Sequence, residues 1–147
     1  MNSHHLPALL ALTFALGSTD LPAQQQPAPQ PPPEITFQAD VEYARVGEHR
    51  LLLDLALPKQ PKSKALPLIV FIHGGGWKMG SRDDFKNEIR DFARHGCVCI
   101  SISYRLAPEH RWPAQIEDCK CAVRWLRAHA QELGVDPQRI GALGGSA

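Results

Sequence analysis

The residues that could do chemistry in this sequence stand at its end, in Gly144-Gly145-Ser146-Ala147. They follow a short apolar run and match the first four positions of the pattern G-x-S-x-G. A serine that acts as a nucleophile is commonly carried on a sharp turn between a strand and a helix, where larger neighbours would clash. From these residues alone, a glycine-rich turn that closes a βα unit is an equally good interpretation.

A second glycine-rich segment, His73–Trp77 (HGGGW), favours the interpretation of Ser146 as a nucleophile. It directly follows the apolar run Leu68–Ile72, and its glycines would let the backbone approach a bound group closely. Backbone N–H groups in such a loop can stabilise the oxyanion of acyl transfer, and losing one donor typically costs about 10²–10³ in rate. A phosphate-binding loop is the alternative, but neither G-x-x-x-x-G-K-[ST] nor G-x-G-x-x-G opening a helix is present.

The elements that must position these two segments follow from the hydrophobic pattern. Two alternating stretches, Ile35–Val46 and His49–Leu57, flank Gly47-Glu48 and predict an antiparallel hairpin. Apolar runs and helical spacing then predict a strand at Leu68–Ile72, a helix at Phe85–Arg94, a strand at Cys97–Ser103, a helix at Pro113–Leu133 and a strand at Arg139–Leu143. This order is typical of a parallel α/β sheet with right-handed crossovers.

Charge and hydropathy narrow the classes of function. Among 147 residues, 16 are Lys or Arg and 15 are Asp or Glu, without a basic stripe, so we do not expect nucleic-acid binding. The apolar run Leu6–Gly17 is shorter than the ~20 residues of a membrane span. We therefore predict no membrane span.

The N-terminal segments are predicted to lie outside the globular domain. Leu6–Gly17 fits the apolar core of a signal peptide, although no Lys or Arg precedes it. We predict a signal peptide over 1–23 and a secreted or periplasmic protein, with a disordered apolar N-terminus as the alternative. A Pro/Gln-rich linker follows at 24–33 and leaves 34–147 for the domain.

Four cysteines form two C-x-C pairs, Cys97/Cys99 and Cys119/Cys121. This spacing is not that of a zinc finger, and residues two apart on a helix do not face each other. We expect free thiols that pack in the core, with one disulfide, which export would permit, as the main alternative. No metal and no organic cofactor is predicted.

Three segments together resemble the α/β-hydrolase superfamily, namely HGGGW, SYRLAPEHRWPAQIEDCKCAVRWL and VDPQRIGALGGSA. Within it, they are most similar to hormone-sensitive-lipase-like and feruloyl- or acetylxylan-esterase-like bacterial carboxylesterases. The resemblance covers about residues 35–147. It implies the N-terminal part of an α/β-hydrolase fold, an antiparallel hairpin leading into a parallel sheet with flanking helices, up to the nucleophile elbow.

The resemblance also implies roles for individual residues. Ser146 would be the catalytic nucleophile, and His73 would shape the loop rather than act as the base. The oxyanion hole would comprise Gly74, Gly75, Gly76 and Ala147, of which Gly76 supports the turn, and the supporting loop would include His73 and Trp77.

Other polar and aromatic residues are predicted to be structural. The segment Tyr104–His110 would brace the crossover between strand and helix. We expect Asp118 and Arg124 to be solvated or pairing charges of small energetic value, and Trp112 and Trp125 to be packing residues rather than ligand platforms. The resemblance places none of the candidate bases beside Ser146, namely His49, His95, His110 and His129.

The activity implied by the resemblance is that of a serine carboxylic-ester hydrolase. It would form an acyl-enzyme on small or carbohydrate-linked esters and need no cofactor. In this superfamily the acid and the histidine of the triad follow the serine, so we expect the chain to be part of a longer hydrolase and nearly inactive alone. A non-catalytic binding relative, or a peptidase or amidase on the same fold, is the alternative.

Overall fold

The computed structural model describes residues 32–61, 63 and 65–146. The predicted signal peptide, the linker up to residue 31 and Ala147 lie outside the described residues. The elements in chain order are strands β1 (Ile35–Val46), β2 (His49–Pro58) and β3 (Leu66–Ile72), helix α1 (Lys86–Arg94), strand β4 (Val98–Ile102), helix α2 (Ala114–Ala128) and strand β5 (Val135–Gly144). A short 3₁₀ helix, Arg82–Phe85, leads into α1.

The strands form one mixed sheet in the order β1-β2-β4-β3-β5. Strands β1 and β2 make the predicted antiparallel hairpin, and β2 also pairs antiparallel with β4. Strands β4, β3 and β5 are parallel, as the alternation of strands and helices predicted. The carboxyl ends of β3 and β5 therefore lie side by side, and the two glycine-rich segments leave the sheet at the same edge.

The two helices cover opposite faces of the sheet. Alternate residues of β4 point to the two sides, with Val98 and Ile100 in the cluster that holds Leu126 of α2, and Cys99 in the cluster that holds Ile89 of α1. On α1, the fully buried Ile89 and Ala93 are four residues apart and so share one helical face. Full burial of a side chain such as Ile89 contributes roughly 1.5–3 kcal/mol to folding.

The last helix and strand differ from their predicted bounds. Helix α2 ends at Ala128 rather than Leu133, because the Nδ1–H of His129 donates to the carbonyl of Trp125 (2.8 Å) and caps the helix. Strand β5 then begins at Val135, where Leu66 is its partner. Its second half pairs in a shifted register, and Pro137 is tolerated because β5 lies at the edge of the described sheet.

All four cysteines are free thiols. Cys99 is fully buried, whereas Cys97, Cys119 and Cys121 are half-buried. Burial raises the pKa of Cys99 to about 12. Burial and the nearby charge of Asp118 raise the pKa of Cys119 to about 11. Both thiols are therefore protonated and weakly nucleophilic near neutral pH.

Asp118 is a pairing charge, which was one of the two predicted alternatives, but the pair is buried rather than exposed at the surface. Its side chain is 2% exposed and pairs with Arg105, whose Nη2 lies 2.8 Å from Oδ1. Oδ2 also accepts a hydrogen bond from the backbone N–H of Arg105 (2.9 Å). The hydrogen bond to Asp118 raises the pKa of Arg105, and the pair ties the segment after β4 to α2.

We expect Asp118→Ala to lower the free energy of unfolding by about 3–5 kcal/mol, because it leaves a largely buried guanidinium without its partner. The matched control is Asp91→Ala, which removes an exposed ion pair with Arg94 on α1 and should cost under about 1 kcal/mol. Urea unfolding of both variants measures the difference. Equal losses would contradict the assignment of Asp118 as a buried structural charge.

Candidate active site

The pairing of β3 with β5 brings the HGGGW segment against the Gly-Gly-Ser turn. Ile72, the last residue of β3, is the partner of Gly144, the last residue of β5. A Cβ atom on Gly74 would lie 2.3 Å from the carbonyl oxygen of Gly145 and 3.0 Å from that of Ser146. Only glycine fits at position 74, so its function here is to let the loop and the turn touch.

Two backbone donors of the loop converge on one oxygen. The N–H groups of Gly75 and Gly76 both donate to the carbonyl oxygen of Ser146, with N···O distances of 3.2 and 3.4 Å. Two N–H groups directed at one oxygen are the arrangement that an oxyanion hole requires. In the structure Gly76 is a hydrogen-bond donor rather than only a support for the turn. Gly74 contributes by letting the loop lie close against the Gly-Gly-Ser turn.

The serine itself lies in a strained part of the turn. Ser146 has a φ of +55°, a left-handed conformation that few residues other than glycine adopt, and its side chain is exposed. Such strain is often concentrated at functional sites. Among the described residues, no histidine hydrogen-bonds to Ser146. Ala147, the third predicted N–H donor, lies outside the described residues, so its role stays a prediction.

His73 controls the orientation of one of the two donors. It is fully buried, and its Nδ1 lies 2.8 Å from the carbonyl oxygen of Gly74, which can only accept, so Nδ1 carries the proton. The Gly74 carbonyl and the Gly75 N–H belong to one planar trans peptide unit and point in opposite directions. The ring of His73 therefore holds the Gly75 N–H towards Ser146.

The ring of His73 is itself held by its neighbours. It stacks on Tyr104, with ring centroids 4.1 Å apart, and the Tyr104 hydroxyl donates to the His73 carbonyl at 2.9 Å. A Cβ on Gly80 would lie 2.4 Å from Nδ1, so glycine is required there as well. Tyr104 thus braces His73 at the start of the glycine-rich loop. The predicted bracing of the crossover between strand and helix comes instead from Arg105 and its pair with Asp118.

Trp77 belongs to the loop and forms one wall of an apolar pocket. It stacks on Trp112 with ring centroids 5.3 Å apart, and its carbonyl accepts from the N–H of Ala107 (2.8 Å). Trp112, predicted to be a packing residue, packs on Trp77 on one side only and is 61% exposed. The pocket has a volume of about 310 Å³ and is lined by Ile72, Trp77, Tyr104, Trp112, Gln115, Ile116 and Cys119.

The described part of the chain shows neither a candidate metal cluster nor a candidate membrane-spanning helix. It contains no cluster of three or more His, Cys, Asp or Glu side chains that could hold a metal ion. None of its helices is long and apolar enough to cross a membrane.

The role of His73 predicts a difference between two amide substitutions. Asparagine can place an N–H close to the position of Nδ1, so His73→Asn should keep the bond to the Gly74 carbonyl. Glutamine places its amide farther from the backbone, so His73→Gln should lose this bond and expose the Gly75 N–H to exchange about tenfold faster. Amide hydrogen exchange measured by NMR distinguishes the two. Equal exchange in both variants would contradict the role of His73.

The chain is similar to known esterases along most of its described length. The BD-FAE family model matches residues 53–147. Carboxylesterase NlhH of Mycobacterium tuberculosis is 39% identical over 121 residues, which are 79% of this chain and 37% of NlhH. The arylesterase of Saccharolobus solfataricus is 40% identical over 82 residues, which are 54% of this chain and 26% of that enzyme.

Solved esterase structures share the fold. A thermophilic esterase from the Planctomycetes species Thermogutta terrifontis matches with a TM-score of 0.66 and 37% identity, over 79% of this chain and 41% of that one. The carboxylesterase EstE1, cloned from a metagenomic library, matches with a TM-score of 0.65 and 33% identity, over 81% of this chain and 39% of that one. The chain spans less than half the length of each of these four relatives. As the resemblance of its motifs implied, the chain belongs to the BD-FAE family of α/β-hydrolases.

Proposed function

We propose that the protein carrying this chain hydrolyses carboxylic esters, with Ser146 as its nucleophile. The observation that carries the proposal is the convergence of the Gly75 and Gly76 N–H groups on a single oxygen, the backbone carbonyl oxygen of Ser146. That oxygen is a backbone carbonyl in the structure, and it stands in for the carbonyl oxygen of a bound ester. The similarity to carboxylesterases and arylesterases supports the same conclusion.

The chemistry follows from these groups. Ser146 Oγ attacks the ester carbonyl carbon while its proton passes to a general base, and the carbonyl oxygen becomes an alkoxide. The two N–H groups stabilise this negative charge, which is larger in the transition state than in the bound ester. The intermediate then collapses, the alcohol leaves with the proton from the base, and an acyl-enzyme remains. Water, deprotonated by the same base, releases the acid.

The general base is proposed to be a histidine oriented by a carboxylate in the remainder of the protein. No described histidine hydrogen-bonds to Ser146, and the relatives are more than twice as long as their match to this chain. In α/β-hydrolases the acid and the histidine follow the serine in sequence, which agrees with this proposal.

The acyl group is proposed to be small. The esterase of Thermogutta terrifontis has been solved with bound propionate and with bound butyrate, at 37% identity to this chain. The apolar pocket beside Trp77, with a volume of about 310 Å³, could accommodate a short aliphatic group. On the alcohol side we propose a small alcohol or a carbohydrate hydroxyl, supported by the resemblance to acetylxylan-esterase-like enzymes. The predicted signal peptide at 1–23 supports action in the periplasm or outside the cell.

The test is hydrolysis of p-nitrophenyl acetate by the full-length protein and by Ser146→Ala. Loss of the nucleophile should lower kcat by about 10³-fold or more. The matched control is Ser63→Ala, which removes an exposed hydroxyl whose hydrogen-bond partner is the Ala65 backbone and should leave kcat unchanged. p-Nitroacetanilide, the amide counterpart, should be hydrolysed far more slowly than the ester. Equal rates for wild type and Ser146→Ala would refute the proposal and favour a binding protein.

A further inference from the structure

We propose that Arg82 is a positioning residue, which fixes the far end of the oxyanion loop by pairing with the buried Asp54. The loop, defined as residues 74–81, begins after His73 and ends where Arg82 opens the 3₁₀ helix. The inference rests on the proposed function, because the groups that Arg82 would position are the N–H groups of Gly75 and Gly76. The closing experiment therefore includes a readout that does not depend on hydrolysis.

The first observation is a carboxylate in the middle of an apolar strand. Asp54 of β2 is 1% exposed, and its Oδ1 accepts hydrogen bonds from Arg82 Nε (2.9 Å) and from the backbone N–H of Asp40 (3.1 Å). A buried carboxylate is strongly unfavourable unless it is paired and hydrogen-bonded. Asp54 consequently binds the guanidinium of Arg82 against the sheet.

The backbone of Arg82 is anchored as well as its side chain. Its N–H donates to Ser103 Oγ (3.1 Å), and its carbonyl accepts from Ser101 Oγ (2.8 Å). Ser101 is fully buried in β4, and Ser103 follows that strand directly. Arg82 is thus hydrogen-bonded to Asp54 of β2, to Ser101 of the adjacent strand β4, and to Ser103, which follows β4.

Asp40 provides a secondary partner for Arg82. It lies at a bulge in β1, between the paired residues Gln38 and Val41, with a φ of +59°. Its carboxylate also contacts Arg82, but its side chain is 62% exposed. An ion pair so open to water contributes little, so the buried contact with Asp54 carries the anchor.

The loop between the two anchors depends on them for its shape. His73 is held at one end by Tyr104, and Arg82 is held at the other by Asp54. Between them, Gly75 and Gly76 have φ values of +106° and +59°, in regions that glycine leaves readily. Release of Arg82 should let the two N–H groups turn away from their common oxygen. Stabilisation of the transition state would then fall, while binding of the uncharged ester would change little.

The test compares Arg82→Lys with the matched swap Arg94→Lys in the full-length protein. Lysine keeps the charge but lacks the Nε–H that donates to Asp54 and the planar guanidinium that also reaches Ser103 and Asp40. Arg82→Lys should lower kcat for p-nitrophenyl acetate by about 10²-fold with KM nearly unchanged, since small misplacement of catalytic groups can cost that much. It should also speed amide exchange of Gly75 and Gly76. Arg94→Lys, in an exposed ion pair on α1, should change neither.

Two further variants keep the test decisive. Asp54→Asn preserves the shape of the side chain while removing the charge that holds Arg82, and it replaces Arg82→Lys if that variant does not fold. It should show the same fall in kcat and the same faster amide exchange. Ile89→Val loses a buried methyl group from α1 and controls for a general loss of stability. An unchanged kcat in folded Arg82→Lys, or an equal fall in Ile89→Val, would overturn the proposal. Equal hydrolysis by wild type and Ser146→Ala would refute the proposed function. The anchoring role of Arg82 would then be tested by amide exchange alone, and unchanged exchange of Gly75 and Gly76 in Arg82→Lys would overturn it.

Discussion

The candidate site depends on the parallel pairing of β3 with β5. This pairing sets the end of one strand beside the end of the other, with Ile72 opposite Gly144, so that two segments 70 residues apart in sequence meet within hydrogen-bond distance. The contact is close enough that a Cβ at Gly144 would lie 2.7 Å from the Ile72 carbonyl oxygen. Gly74 and Gly144 are therefore required for the two strands to end in contact.

A site built from backbone N–H groups cannot be positioned by the side chains of the residues that donate. Gly75 and Gly76 have no side chain, and their conformations are ones that glycine can readily leave. Orientation must come from polar groups on either side of them. The buried ring of His73 holds the peptide unit that donates to the oxygen, Tyr104 holds that ring, and the ion pair of Arg82 with Asp54 closes the far end.

The aromatic residues near the loop combine packing with exposure. Trp77 and Trp112 stack on each other and remain open to solvent, whereas Tyr104 stacks on His73 in the interior. The two exposed indoles form a wall of the apolar pocket beside the loop. Trp77 and Tyr104 thereby both stabilise the loop and line the pocket, and this couples the stability of the loop to the shape of the pocket.

The sequence by itself determined the elements and the two glycine-rich turns, because burial of one face imposes a period that can be read within a segment. Strand β4 and helix α1 were predicted within one residue at each end for this reason. Only the tertiary structure decided which N–H groups converge, that Asp118 and Asp54 are buried beside arginines, and that Trp112 is exposed. The sequence contains one local signal of a buried charge, the single carboxylate in the apolar stretch LLLDLAL, but the arginine that pairs with it lies 28 residues away. Such contacts join residues from separate elements, and periodicity within one element carries no information about the partner.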